Sequence, residues 1–230
     1  MLPQLVKLRE VAVDLLFPKR CVACGKEGDY ICRDCLKLLI PIEPPICPRC
    51  GRPSPAVCPE CAARPARIDG VRSPFRFEGV LREAVHQFKY RNLRSLAGCL
   101  AALLFDYLAA NPLPADVLVP VPLHPARLRE RGYNQSALLA RELGKRNGLP
   151  VAGGLVRSRK TPPQARTGSL EERLANIAGA FECVDDSLDG RNVLLVDDVA
   201  TSGATLNACA AALKNRGAAS VWGLALAREI

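Results

Sequence analysis

Eight of the eleven cysteines fall into four Cys-x-x-Cys pairs: Cys21/Cys24, Cys32/Cys35, Cys47/Cys50 and Cys58/Cys61. Each of the first four recurs 26 residues later, and a glycine follows each leading pair, at Gly25 and Gly51. This is an internal duplication. A Cys-x-x-Cys turn presents two sulfurs to one ion, and zinc takes four thiolates tetrahedrally. Two pairs separated by seven residues can clasp one ion, so each repeat is expected to hold one zinc on its own four cysteines. A crossed arrangement between the repeats is left open by the spacing. Disulfides are rare in cytosolic chains, and redox pairs do not come as duplicated pairs of pairs. Four thiolates leave no open position for water, which makes these sites structural. Cys99, Cys183 and Cys209 stand alone; Cys99 and Cys209 lie in apolar helical stretches and read as small core residues.

A second chemistry lies at residues 193–206, VLLVDDVATSGATL. An apolar run ends in two carboxylates, Asp197 and Asp198, and Thr201, Ser202, Gly203, Ala204 and Thr205 then lead into a helix. Ligands bind at the carboxyl ends of parallel strands. A small hydroxyl-rich loop at a helix N-terminus offers N–H groups and a positive dipole end to a phosphate. Adjacent carboxylates would repel that phosphate, so they suit sugar hydroxyls or Mg²⁺. Phosphate on one side and a diol on the other describe a ribose 5-phosphate. A merely capped helix explains neither the paired aspartates nor the loop.

These groups need elements to hold them, and composition shifts near residue 67. Residues 18–66 are rich in Cys, Pro, Arg and Gly and poor in large apolar side chains. Metal would therefore supply the folding energy of that segment, and its removal is expected to unfold 18–66 while leaving the rest largely folded. Beyond it the pattern alternates. Strands are predicted at 71–77, 116–122, 191–196 and 220–227, and helices at 80–90, 93–111, 133–146, 170–178 and 205–216. A polar loop is expected over 153–169. This is an α/β arrangement, a parallel sheet with flanking helices. The expected division is 1–66, an amphipathic helix and the cysteine repeats, and 67–230, the α/β domain. Lys7, Arg9, Glu10 and Asp14 interrupt the apolar stretch 2–17, which reads as an amphipathic helix and not a signal peptide.

A hydrophobic fraction of 49% with 24% charged residues excludes a disordered chain. No apolar run reaches the roughly 18 residues of a membrane span, and a cytoplasmic protein is expected. The formal net charge of +9 falls to about +5 once two tetrathiolate zinc sites are counted. That basicity is weak evidence for nucleic acid.

The segment 193–206 resembles the phosphoribosyl-pyrophosphate (PRPP) loop of the type I phosphoribosyltransferases. By that resemblance Asp197 and Asp198 would bind the ribose hydroxyls, and Thr201, Ser202, Gly203, Ala204 and Thr205 would wrap the 5-phosphate, with Mg²⁺ accompanying PRPP. Val119-Pro-Val-Pro-Leu-His124, Arg131-Gly-Tyr-Asn-Gln135 and Arg159-Lys-Thr-Pro-Pro-Gln164 resemble the signature of the ComF family. So do Leu170, Arg173, Asn176, Gly179-Ala-Phe181, Phe88-Lys-Tyr90 and the cysteine-rich start. Ala200 and Ser202 depart slightly, but the serine keeps a hydroxyl.

The resemblance implies a type I phosphoribosyltransferase fold preceded by a small zinc-ribbon domain with four cysteines at each metal. It implies a pyrophosphate loop over 121–131, with Pro122, Leu123, His124 and Arg131 as contacts and Arg127 and Arg129 as further donors. It also implies a lid over 157–168 carrying Arg159, Lys160, Thr161 and Gln164, with Arg173 and Asn176 beyond. Such a lid excludes water from the reacting centre. His86 and the basic face of Arg141, Lys145 and Arg146 read as structural. The implied activity is PRPP-dependent transfer with pyrophosphate release. The implied biology is natural transformation, handling internalised single-stranded DNA with a competence helicase-type partner. The alternative is a nucleic-acid-binding module in which zinc ribbons and a basic helix grip DNA and the PRPP site only senses. Its stacking platforms would be Tyr30, Phe75, Phe77, Tyr90 and Tyr133.

Overall fold

The computed structural model describes residues 19–157 and 179–230. The predicted helices at 2–17 and 170–178 lie outside the described residues, as do Arg159, Lys160, Thr161, Gln164, Arg173 and Asn176.

Five strands form a parallel sheet. The central β6 (Asn192–Ala200) pairs on one side with β3 (Val117–Pro120) and on the other with β7 (Ser220–Arg228). β1 (Gly70–Arg72) and β2 (Phe75–Arg76) pair one after the other with the same free edge of β7. They are the predicted strand 71–77, interrupted at Ser73 and Pro74. Beyond β3, Val151 makes a single parallel bridge to Leu118.

The apolar run of β6 serves two cores because alternate side chains face opposite ways. Leu194 and Val196 pack with α3 (Gly79–Tyr90), α4 (Leu96–Ala110) and α6 (Gln135–Asn147). Val193 and Leu195 pack with α7 (Ala204–Asn215) and with the hairpin of β4 (Leu155–Arg157) and β5 (Phe181–Cys183). Cys209 and Cys183 are buried in this second core, as small apolar residues should be.

Three features differ from the sequence expectation. Residues 125–131 are not loop but a short helix, α5 (Pro125–Arg131). Pro125 opens it and Gly132 closes it at φ 76°, yet its one large apolar residue, Leu128, is exposed, so no apolar periodicity announces it. The polar stretch after 153 begins with strand β4, whose three residues pair antiparallel with β5. Finally, β6 runs on through both aspartates to Ala200.

The cysteine repeats do not stand apart from this core. Cys21, Ile31, Cys32, Cys35 and Leu39 belong to the same buried cluster as Leu81, Phe88 and Leu100. The chain then runs along the sheet margin, where Arg76 N–H donates to Ile40 C=O and Ile42 N–H to Pro74 C=O, both at 2.9 Å.

Candidate functional site and metal centres

The duplication is visible atom by atom. Arg20 bridges Glu27 and, 26 residues on, Ile46 bridges Pro53. The Cys32 N–H donates to Cys21 Sγ at 3.5 Å and the Cys58 N–H to Cys47 Sγ at 3.4 Å. Single helical turns follow, α1 (Arg33–Leu36) and α2 (Pro59–Ala62). Each repeat gathers its own four sulfurs within 4.8 Å of one another, which removes the crossed arrangement. A tetrahedral zinc with Zn–S near 2.3 Å requires sulfurs about 3.8 Å apart. Cys24 and Cys32 are 3.6 Å apart, and Cys50 and Cys58 3.7 Å. The donor sets fit two structural zinc ions. Burial pushes the Cys21 and Cys47 thiols up, but backbone N–H groups outweigh it and bring each down to about 6. Those N–H donors hold sulfur in the thiolate form that zinc binds.

The second site is a cavity of about 950 Å³ over the carboxyl end of β6. Asp197, Asp198, Thr201, Gly203, Ala204 and Thr205 line one side of it. Gly203 adopts φ 76° at the α7 N-cap, a conformation that turns the strand sharply into the helix. Ser202 does not line the cavity; its hydroxyl accepts the Ala204 N–H at 3.4 Å and shapes the turn. Pro122 and Leu123 form the wall after β3, and Arg127 and Arg131, one turn apart on α5, add two guanidinium groups. Arg129 is exposed, and His124 is not a wall residue: its Nδ1 caps α5 by accepting the Ala126 N–H at 3.1 Å.

The two aspartates have different surroundings. Asp198 is nearly buried and pairs with Lys89 Nζ at 2.8 Å, which ties β6 to α3. Asp197 accepts the Ser136 hydroxyl at 2.9 Å. Burial, with Asp198 beside it, raises the Asp197 carboxyl to about 7 against the pull of Lys89 and Ser136. Two adjacent carboxyl groups in a buried pocket are suited to a cation or to hydroxyl donors. Arg157 at the end of β4 also lines the cavity, with its guanidinium 5.3 Å from the Phe181 ring centre.

Lys89 and Gln135 lie in the segments Phe88-Lys-Tyr90 and Arg131-Gly-Tyr-Asn-Gln135, but nothing in either marks them or Ser136 as site residues, and the partner of Lys89 is 109 positions away. Asn134 caps α6 by accepting the Ser136 N–H, and its amide donates to Val121 C=O at 3.0 Å. That aims Ser136 at Asp197 and sets Gln135 in the cavity wall. Of the basic face on α6, Lys145 pairs with Glu142 and Arg146 donates to Gly98 C=O, as structural residues do. His86 lines the cavity mouth beside Tyr90, their ring centres 5.0 Å apart.

Comparison with known proteins adds the lineage. Residues 12–64 match the double zinc ribbon domain and residues 130–228 the phosphoribosyl transferase domain. The competence protein ComFC of Bacillus subtilis is 32% identical over 214 residues, covering 89% of this chain and 86% of that protein. The chain belongs to the ComF family. Competence protein F of Haemophilus influenzae is 35% identical, covering 62% of this chain and 66% of the relative. The DNA utilization protein YhgH of Escherichia coli is 31% identical, covering 80% and 85%. ComF-family membership joins a double zinc ribbon to a phosphoribosyltransferase-type sheet in one chain. Among the described residues, no helix is long and apolar enough to cross a membrane.

Proposed function

We propose that this ComF-family chain binds Mg²⁺–PRPP in the 950 Å³ cavity and acts as a phosphoribosyltransferase-like protein in the handling of internalised single-stranded DNA. The observation that carries the reading is the Asp197–Asp198 pair beside the loop 201–205, on opposite flanks of one strand–helix turn. The 5-phosphate would lie at the α7 N-terminus, where the dipole favours an anion. The ribose diol would donate to the carboxylates. Arg127 and Arg131 would meet the pyrophosphate across the cavity, with Pro122 and Leu123 between them. Asp197 and Asp198 offer the protein oxygens that would hold an accompanying Mg²⁺, which would supply neutralising charge there.

The cytoplasm is the compartment where PRPP and reduced thiols would coexist. A competence helicase-type partner follows only from the family. A DNA-binding role has support of its own. Tyr90 is 65% exposed at the cavity mouth, with the Arg131 guanidinium 5.2 Å from its ring centre. An aromatic ring beside a cation is a stacking platform for a base.

Calorimetric titration with Mg²⁺–PRPP, alone and with single-stranded DNA, tests the proposal. Saturable binding is expected, and a wild-type protein that ignores millimolar Mg²⁺–PRPP would refute it. If DNA is the acceptor, each ligand should change the other's affinity by the same factor. Identical DNA affinity with and without PRPP favours the binding-module reading.

The pH dependence provides a second prediction. Asp197 accepts hydroxyl donors best when ionised, and its carboxyl titrates near 7. Affinity should therefore weaken as pH falls from 8 to 6. The same titration on Asp197→Asn should lose the part of this dependence that belongs to the enzyme and keep the ligand's own. An unchanged pH profile in that variant would remove Asp197 from the binding step.

A further inference from the structure

The two cysteine repeats are alike in sequence but differ in what they touch. The first packs on α3, where Gln87 Nε2 donates to Val22 C=O at 3.3 Å. Its salt bridges, Arg20–Glu27 and Lys26–Asp34, lie at the surface. The second packs on the sheet. Val71 N–H donates to Arg49 C=O at 2.7 Å, and a Cβ on Gly51 would come within 2.5 Å of Val71 C=O. Only a glycine at φ 74° lets this knuckle approach β1 so closely.

Two arginines stand where the second repeat meets the carboxyl end of the sheet. Arg228, the last residue of β7, is 1% exposed, and among the described residues its Nε and Nη1 have no hydrogen-bond partner. Burial pushes this guanidinium down from its usual range and Arg52 adds repulsion, while Cys50, Cys61 and Cys58 pull the other way. Arg52, directly after the second knuckle, has a buried Nε without a hydrogen-bond partner among the described residues. Its other nitrogens are engaged: Nη1 with Glu60 at 2.5 Å and Nη2 with the Thr201 carbonyl at 3.5 Å. A fully buried, unmatched guanidinium is costly unless an anion faces it. Zinc on four thiolates carries a net charge near −2, so the metal-loaded centre supplies that anion. The Glu229 N–H, one residue beyond Arg228, donates to Ala200 C=O at 3.0 Å, at the start of the ligand loop.

We propose that the second zinc centre braces, from behind, the loop that walls the ligand cavity: Cys47, Cys50, Cys58 and Cys61 fix the knuckle that carries Arg52, whose C=O accepts the Cys47 N–H at 2.7 Å, and Arg52 holds the Thr201 carbonyl and with it the loop 201–205. Arg52 is then a positioning residue and the first zinc centre has no such role. The loop's order depends on the second metal. If the loop binds PRPP, as proposed above, ligand and second zinc strengthen each other's binding. That last step rests on the PRPP reading, whereas the anchoring of the loop does not.

Amide hydrogen exchange on the full, zinc-loaded chain tests the anchoring without any ligand. Arg52→Met should speed exchange of residues 200–206 roughly two- to fivefold, the loss expected for one long hydrogen bond. Arg52→Lys should restore most of the protection, and the sheet interior should be unaffected. Cys50→Ser should have the same local effect, whereas Cys24→Ser in the first repeat should leave residues 200–206 unchanged. Exchange that is equal in Arg52→Met and wild type overturns the anchoring, even if Cys50→Ser does not fold. The linkage is read from zinc loss to a chromophoric chelator. Saturating Mg²⁺–PRPP should slow release of one of the two zinc ions, and Arg52→Met should abolish that difference. Measurable PRPP binding with no change in zinc release overturns the linkage. A wild-type chain that does not bind PRPP overturns the function proposed above, and the exchange data still decide the anchoring.

Discussion

Replacing Asp197 and Asp198 together by Asn should abolish measurable Mg²⁺–PRPP binding, and the two single variants should shift stability in opposite directions. A hydrogen bond to a charged acceptor is worth about 1.5–3 kcal/mol, so losing two weakens binding a hundredfold or more. Stability follows from the different surroundings of the two carboxyls. Asp197 is raised from the ordinary 3.8 to about 7 by burial and by Asp198. Between about pH 4 and 7 the folded protein keeps a proton that the unfolded chain has lost. Folding stability therefore falls as pH rises through that window and remains lower above it. Asp197→Asn removes this cost, so its Tm should exceed that of wild type at pH 8 and match it near pH 4. Asp198→Asn instead breaks the 2.8 Å pair and leaves Lys89, only 21% exposed, with Asp197 as its remaining counter-charge. A loss of about 1–3 kcal/mol is expected, below the figure for a fully buried pair because Lys89 retains some water. Thermal melts of both variants at pH 4.5 and 8 check this. Equal shifts of the same sign would show that the two carboxyls share one environment.

How much of this is legible in the sequence depends on the range of each signal. The cysteine spacing and the apolar run of β6 are local patterns, and both translate directly into structure. Helix α5 is hidden because its stability signals lie at its ends. His124 and Pro125 start it and Gly132 stops it, while the residues between are charged and Leu128 faces solvent. Strands β4 and β5 have three residues each, too few for a period to show. Lys89, Ser136 and Arg52 cannot be found because their roles exist only through partners far along the chain: Asp198, Asp197 and Thr201. Motif spacing finds the residues of one turn; it does not find what the sheet brings to that turn.

Zinc removal should show how far the cysteine repeats depend on the rest. Composition alone suggests an autonomous segment held by metal, with an α/β domain that survives its loss. The packing argues for something else. Cys21, Cys32 and Cys35 share a core with Leu81, Phe88 and Leu100, and the chain at Ile40 and Ile42 is hydrogen-bonded to the sheet margin. Losing the first metal centre would loosen the face of α3 where Gln87 donates to Val22 C=O. Losing the second would leave the buried Arg228 facing unmetallated thiols. A structural zinc contributes about 10–16 kcal/mol of apparent binding free energy at pH 7, against the roughly 5–15 kcal/mol typical of a whole domain's stability. Wild-type protein should therefore carry two zinc equivalents by elemental analysis. A strong chelator should lower the Tm of the entire chain by tens of degrees, with near-UV and far-UV signals moving together. Two separated transitions, with the sheet melting at its original temperature, would restore the autonomous segment and sink the shared core. One zinc per chain would instead show that only one repeat is a metal centre, and exchange protection around Val22 and Arg49 would tell which.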